Sequence, residues 1–453
     1  MSSSPHRFWL ALCLAMLLSS CATAKKVPDW VNSEPFDPLY YSSVVKVSTK
    51  QAGYQQLAMD TAFKNISMQI SVQVDAQLSS VDTELSGVPL SEITTNIQTS
   101  SRNLLQDVEL VGVYQTKTEY WAYFRLNKQN YQQQRQQLKN RAVELALQQL
   151  ADFDSSTTDL VTGIPQLLHA LEGVVDYLDL DLQVTYQNKP VNLYNEIVRK
   201  VKQLPLQVKP AFELAETPQV VAMQQLDLRL PVTVYYHKTE SQVLTCRDFP
   251  LRFSFARGQG KLPATGFTAA NGSYTLILER ISSFEPNQSI SAQINKDHFS
   301  AQIVHPLVKK IWDNLSFSPA LISLQVVKPK IYLEYSFDGK QESNHKRLIL
   351  DRLIELDLET TTDAARADFI LSVDITSQPG SYISVLDVYS AFGNAHVSLI
   401  HAHTKQIVAS ESLLKIKSNA SSMQVAELNT EVRTVRAICD ELLYRMVSSY
   451  IMN

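Results

Sequence analysis

Leu226-Asp227-Leu228-Arg229-Leu230-Pro231-Val232-Thr233-Val234-Tyr235-Tyr236 places an apolar side chain at every even position, with Asp227, Arg229 and Thr233 between them. A period of two is the signature of a half-buried strand and is incompatible with an amphipathic helix. Pro231 is expected to shift the phase, because proline withholds a ladder N–H. The same alternation returns at Leu251, Phe253 and Phe255, then at Tyr274, Leu276 and Leu278. Gly258-Gln259-Gly260, Gly266 and Asn271-Gly272 punctuate these runs at turn spacing. Short strands in this number predict a β-sandwich over residues 206–300.

Towards the N-terminus the pattern changes. Residues 151–205 read as a helical connector, with helices over Leu160–Leu178 and Leu193–Leu204 and Pro205 closing the second. Residues 27–150 read as an α/β domain. Its expected elements are a strand over Leu39–Val47, a helix from Gln51 to Ile70 passing into a strand through Leu78, and a helix over Ser91–Leu105. A hairpin of Val108–Val113 with Tyr120–Leu126 and a long helix over Tyr131–Leu150 complete it. Residues 301–453 alternate helix and strand. The expected order is a helix near Pro306–Leu315, a strand at Lys330–Tyr335, a helix at Lys346–Leu356 and a strand at Phe369–Ile375. A hairpin of Ser384–Tyr389 with Ala395–His401, a strand at Gln406–Leu413 and a long terminal helix follow. The fold class is therefore multi-domain α+β: an N-terminal α/β domain, a helical connector, a central β-sandwich and a C-terminal mixed α/β domain.

The chain opens with a weakly basic His6-Arg7 and an apolar run of 11 residues, Phe8 to Leu18. That is signal-peptide length, well short of the ~20 residues a spanning helix needs. Leu18-Ser19-Ser20-Cys21 follows and resembles the lipobox of bacterial lipoproteins. The resemblance implies that residues 1–20 are removed, that Cys21 carries lipid including palmitate, and that 21–26 form a short tether. With Ala22 next, it implies the outer membrane, facing the periplasm. The formal charge is −4, and removing residues 1–20 loses one arginine and no acid, leaving about −5. So weak an acidic balance points away from nucleic acid as a partner.

Three resemblances run along the mature chain. Pro28-Asp29-Trp30, the small-residue helix with Ala58 and Ala62, and Trp121-Ala122-Tyr123-Phe124-Arg125-Leu126-Asn127-Lys128 together resemble the lipoprotein-twenty family, which includes flagellar outer-membrane lipoproteins. Pro250 to Phe255 with its glycine turns and Asn271-Gly272-Ser273-Tyr274 resembles bacterial immunoglobulin-like (Ig-like) modules. Ala367-Asp368-Phe369-Ile370-Leu371-Ser372-Val373, with the run from Val397 to Val408, resembles periplasmic domains of the curli-secretion and TolB-amino-terminal type. In that last match Lys405 stands where the family has glycine.

No residue pattern carries catalysis, and no cofactor or metal is expected. His401 and His403, with Asp387 or His396 nearby, make half a metal site at best and read as surface histidines. Asp176, Asp179 and Asp181 lack the glycine and distal glutamate of a calcium loop and read as a solvated edge. Cys246 and Cys439 read as buried free thiols. Val425, Leu428, Val432, Val435, Cys439, Leu442 and Met446 fall at 3-4 spacing, a seam for the domain's own sheet or for a second copy. The expected role is a non-catalytic, lipid-anchored scaffold or assembly factor contacting other envelope proteins. The alternatives are a cell-wall glycan binder using Tyr235, Tyr236 or Tyr274, and an envelope hydrolase.

Overall fold

The structure is a computed structural model describing residues 26–452 except 34, 79–94, 96, 98–104, 106, 156–158 and 342. The signal segment, Leu18, Ser19, Ser20 and Cys21 lie outside the described residues, as does most of the helix expected over Ser91–Leu105. The chain is mixed α+β with several separate sheets. It divides into two compact units, the first Met1–Phe153, Gln166–Val201 and Ile303–Asn314, the second Asp154–Pro165, Lys202–Gln302 and Leu315–Asn453.

In unit 1, β1 (Tyr40–Ser48) is followed by α1 (Tyr54–Leu78), β2 (Glu109–Gln115), β3 (Glu119–Asn127) and α2 (Lys128–Ser155). The antiparallel sheet has the order β1-β3-β2. Tyr41 opposes Leu126 and Val45 opposes Ala122, so both strands turn these buried side chains to one face. Helix α1 covers that face with Ala58, Ala62, Ile66 and Ile70, and Phe63 meets Phe124 edge-on. Helix α1 does not give way to a strand at Ile70. Ile70 is 3% exposed and Val72 is 71% exposed, because residues two apart point to opposite sides of a helix. No Gly or Pro between Gln69 and Leu78 stops it. On the sheet's other face a helical turn, Asp29–Asn32, lays Trp30 over Tyr123, ring centroids 5.9 Å apart. Gly112 makes room: a Cβ there would meet the Trp30 ring at 3.2 Å.

Helix α3 (Leu160–Val174), a short hairpin of β4 (Gln183–Tyr186) and β5 (Lys189–Asn192), and α4 (Leu193–Gln207) come next. Pro205 does not close α4 but lies inside its last turn. It removes one backbone bond, and the helix ends two residues later.

Unit 2 contains two facing sheets. The strands are β6 (Val208–Phe212), β7 (Gln219–Val221), β8 (Leu228–His237), β9 (Val243–Thr245), β10 (Pro250–Arg257), β11 (Gly260–Lys261), β12 (Thr265–Phe267), β13 (Ser273–Leu278), β14 (Arg280–Ile281), β15 (Asn287–Ile294) and β16 (Ala320–Val327). One sheet runs β12-β10-β15-β16-β7 and the other β13-β8-β6, with β6 against β15 and β16. Pro231 does not shift the phase: Leu230, Val232 and Val234 are all buried along an unbroken β8. Although it lacks an N–H, its carbonyl still accepts from Glu213 N at 2.9 Å. The Gly258-Gln259-Gly260 turn is built around buried Gln288, whose Oε1 accepts from Gln259 N at 3.3 Å. A Cβ at Gly258 would overlap that side chain, which accounts for the glycine.

The rest of unit 2 is a five-stranded sheet, β17 (Lys330–Phe337), β18 (Glu359–Thr361), β19 (Phe369–Ile383), β20 (Val388–His401) and β21 (Ile407–Ala420), in the order β18-β17-β19-β20-β21. Helices α5 (Lys346–Glu355) and α6 (Met423–Ala437) accompany it. Ser384–Tyr389 and Ala395–His401 are not two strands of a hairpin. They fall on the turn and on one continuous β20, and the hairpin is β19 with β20. Gly393 divides neither strand and instead seats α6, since a Cβ there would lie 2.2 Å from Thr434 Oγ1. Gly393→Ala is therefore expected to cost about 1–3 kcal/mol through overpacking, read as a lower urea midpoint.

Candidate functional site

One cavity of unit 1 lies among α1, α2, the start of β1 and the turn at Asp179-Leu180, with a volume of about 310 Å³. Arg135 and Asp179 form a buried ion pair beside it, Nη2 to Oδ1 2.6 Å. Arg135 also donates to Tyr131 Oη at 3.3 Å and to the Asp176 carbonyl at 3.2 Å. Tyr41 donates a short hydrogen bond to Gln73 Oε1 and stands edge-on to Tyr131. Burial pushes the Tyr41 hydroxyl up to about 12, with Tyr131 adding to the rise and Arg135 opposing it. Burial also raises the Asp179 carboxyl, against the pull of Arg135. Gln132 and Gln136 stand one turn apart at the mouth.

Asp179 thus corrects the reading of the three carboxylates as a solvated edge. Its partner lies 44 residues away in sequence, beyond the reach of any local pattern. Asp176 faces His305 at 3.4 Å, and Asp181 accepts from Gln183 N at 2.9 Å. The other sequence-selected residues are dispersed. His401 and His403 have ring centroids 5.8 Å apart. Asp387 sits at the opposite end of β20 and accepts from Tyr382 Oη at 2.7 Å. A 14-residue strand spans on the order of 45 Å, which removes Asp387 from the histidines. His396 lies between Ser412 and Ser398, each at 3.1 Å. Among the described residues no group of three His, Cys, Asp or Glu side chains is placed to hold a metal ion. Tyr236 is buried, Tyr274 stacks on Phe253 at 5.2 Å, and Tyr235 donates to Glu213 at 2.9 Å.

A second convergence of polar groups lies in unit 2. Buried Glu431 accepts from Tyr335 Oη at 2.6 Å and from Ser343 Oγ, and His345 Nδ1 stands 3.4 Å from its other oxygen. Burial foremost, with Glu431 adding to it, pushes the Tyr335 hydroxyl far up. The same His345 nitrogen faces both Ser343 and Glu431. A nucleophile relay needs the imidazole to address serine and acid through different nitrogens, an arrangement this cluster does not have, and its hydrogen bonds tie β17 to α6.

Cys246 and Cys439 are free and buried. Burial lifts their thiols to about 12 and about 11, with Asp440 adding to the rise at Cys439. Neither is expected to react with iodoacetamide at neutral pH until the chain unfolds, when both alkylate; labelling of the folded chain by mass spectrometry would contradict this burial. The terminal stripe divides at a π turn, Ile438–Leu442. Val435, Cys439, Leu442 and Met446 face the core, whereas Val425 and Leu428 are exposed and Ala426, Thr430 and Thr434 are buried instead. The buried positions step by four residues, and the wide π turn absorbs part of the drift from 3.6. Arg352 Nε donates to the Cys439 carbonyl within that turn at 3.0 Å.

Compared with known proteins, the chain matches no family model and no curated protein. It overlaps in part with several solved structures. A neuraminyllactose-binding hemagglutinin homologue from Helicobacter pylori is 12% identical, with a TM-score of 0.21, over 28% of this chain and 93% of that one. Lipoprotein GNA1162 from Neisseria meningitidis is 11% identical, with a TM-score of 0.17, over 25% and 99%. Protein XCC0632 from Xanthomonas campestris is 13% identical, with a TM-score of 0.18, over 27% and 86%. Likenesses of this extent say nothing about what the chain binds.

Proposed function

We propose that the protein is a lipid-anchored, non-catalytic scaffold or assembly factor of the bacterial envelope, held at the outer membrane and facing the periplasm. Within this reading the N-terminal domain is of lipoprotein-twenty type, the two facing sheets are an Ig-like module, and the five-stranded sheet is of the TolB-amino-terminal type. A flagellar structure is one assembly it would serve.

The observation that carries the reading is the tip of the β19–β20 hairpin. Tyr382, Val385 and Leu386 are 50%, 91% and 63% exposed there, beyond the last core pair of Ile375 with Ala395. Exposed apolar side chains grouped at the end of a two-stranded ribbon suit docking to another protein. The test is chemical crosslinking of the tagged lipoprotein in solubilised outer membranes, read by mass spectrometry. Basal-body or secretion-complex proteins, lost on Val385→Asp with Leu386→Asp, support the reading. Peptidoglycan fragments alone, or no partner, favour the glycan-binding alternative.

A further inference from the structure

The charge balance of the unit 1 cavity narrows its ligand. Arg135 and Asp179 neutralise each other, so an entering ion would lose water against no net counter-charge. An acyl chain would lay hydrocarbon against two buried ions, which is costly. A peptide strand needs free main-chain donors and acceptors, yet the lining comes mainly from α1 and α2, whose interior backbone groups are taken within the helices. The lining offers something else. The exposed Gln132 and Gln136 carry amides that both donate and accept, Gln136 giving one proton to Asn140 at 3.1 Å, and the largely buried Tyr41 and Tyr131 form an apolar floor. A ligand rich in hydroxyls, with apolar C–H faces, matches both.

We propose that this cavity binds a neutral sugar of one or two rings. Its volume of about 310 Å³ lies at the small end of ligand pockets and leaves no room for a long oligosaccharide within it. Gln132 and Gln136 contact the ligand at the mouth, and the Arg135–Asp179 pair holds Tyr131 and the floor in place. The proposal is independent of the scaffold reading, since the hairpin tip belongs to the other unit.

Full-length lipoprotein in detergent is titrated by calorimetry with N,N′-diacetylchitobiose and, separately, with maltose. At least one is expected to bind with a Kd of about 1 mM or tighter. Gln132→Ala with Gln136→Ala is expected to weaken binding about tenfold or more without moving the Tm, because both side chains are exposed on α2. Preference for chitobiose supports the proposal with an acetamido sugar, and equal binding supports it with a shared hydroxyl pattern. Silence from both sugars overturns it, as does binding that survives intact in the double glutamine variant.

Discussion

Arg135→Met lowers the stability of unit 1 by about 3–5 kcal/mol at neutral pH, because it leaves the Asp179 carboxylate buried without its counter-charge. Both side chains are nearly inaccessible to water, 6% and 2% exposed, so solvent does little to compensate. Replacing both partners, Arg135→Met with Asp179→Leu, recovers most of the loss, since an apolar pair carries no desolvation penalty. The pH dependence has a definite sign. Burial holds the Asp179 carboxyl above its ordinary value even with Arg135 present. Its contribution to stability is therefore present at acid pH and lost as pH rises through the folded-state value. Without Arg135 that value rises further and the loss deepens. The gap between wild type and Arg135→Met should thus widen from about pH 4 to neutrality. Urea unfolding across that range measures it, and a gap independent of pH removes the buried-carboxylate explanation.

That pair also marks where reading the chain alone runs out. The alternation from Leu226 to Tyr236 is local, and β8 follows it closely. The hairpin of β2 and β3 was legible from two short apolar runs flanking Gln115-Thr116-Lys117-Thr118, for the same reason. Asp179 alternates with leucines just as a surface carboxylate would, and only the packing of α2 brings Arg135 to it. Ile70, Val72 and Val74 imitate a strand because β-branched residues favour one, yet α1 runs on through them with Ile70 packed and Val72 exposed. At the C-terminus the 3-4 stripe assumed a regular helix. One π turn rotated its first half away from the core, leaving Val425 and Leu428 outside. Lys405 shows the reverse case. The turn formed without the expected glycine, with lysine itself in the left-handed region at φ 58°.

If Cys21 is lipidated as proposed, Cys21→Ala is expected to abolish incorporation of labelled palmitate, because in a lipobox the cysteine thiol takes the diacylglycerol before cleavage. Exchanging residues 1–21 for an ordinary cleavable secretory signal moves the protein from the membrane pellet to the soluble periplasmic fraction. The effect is close to all-or-none: each buried methylene of an acyl chain contributes ~0.8 kcal/mol, and two chains already suffice for stable anchoring. Among the described residues no helix is long and apolar enough to cross a membrane. The fold should not notice the exchange. The exchange keeps every described residue, so the swapped chain should unfold at the same urea midpoint as the lipoprotein. Continued pelleting of a correctly folded, unlipidated chain would mean a second attachment. Val385 and Leu386 at the hairpin tip would then be the first residues to replace.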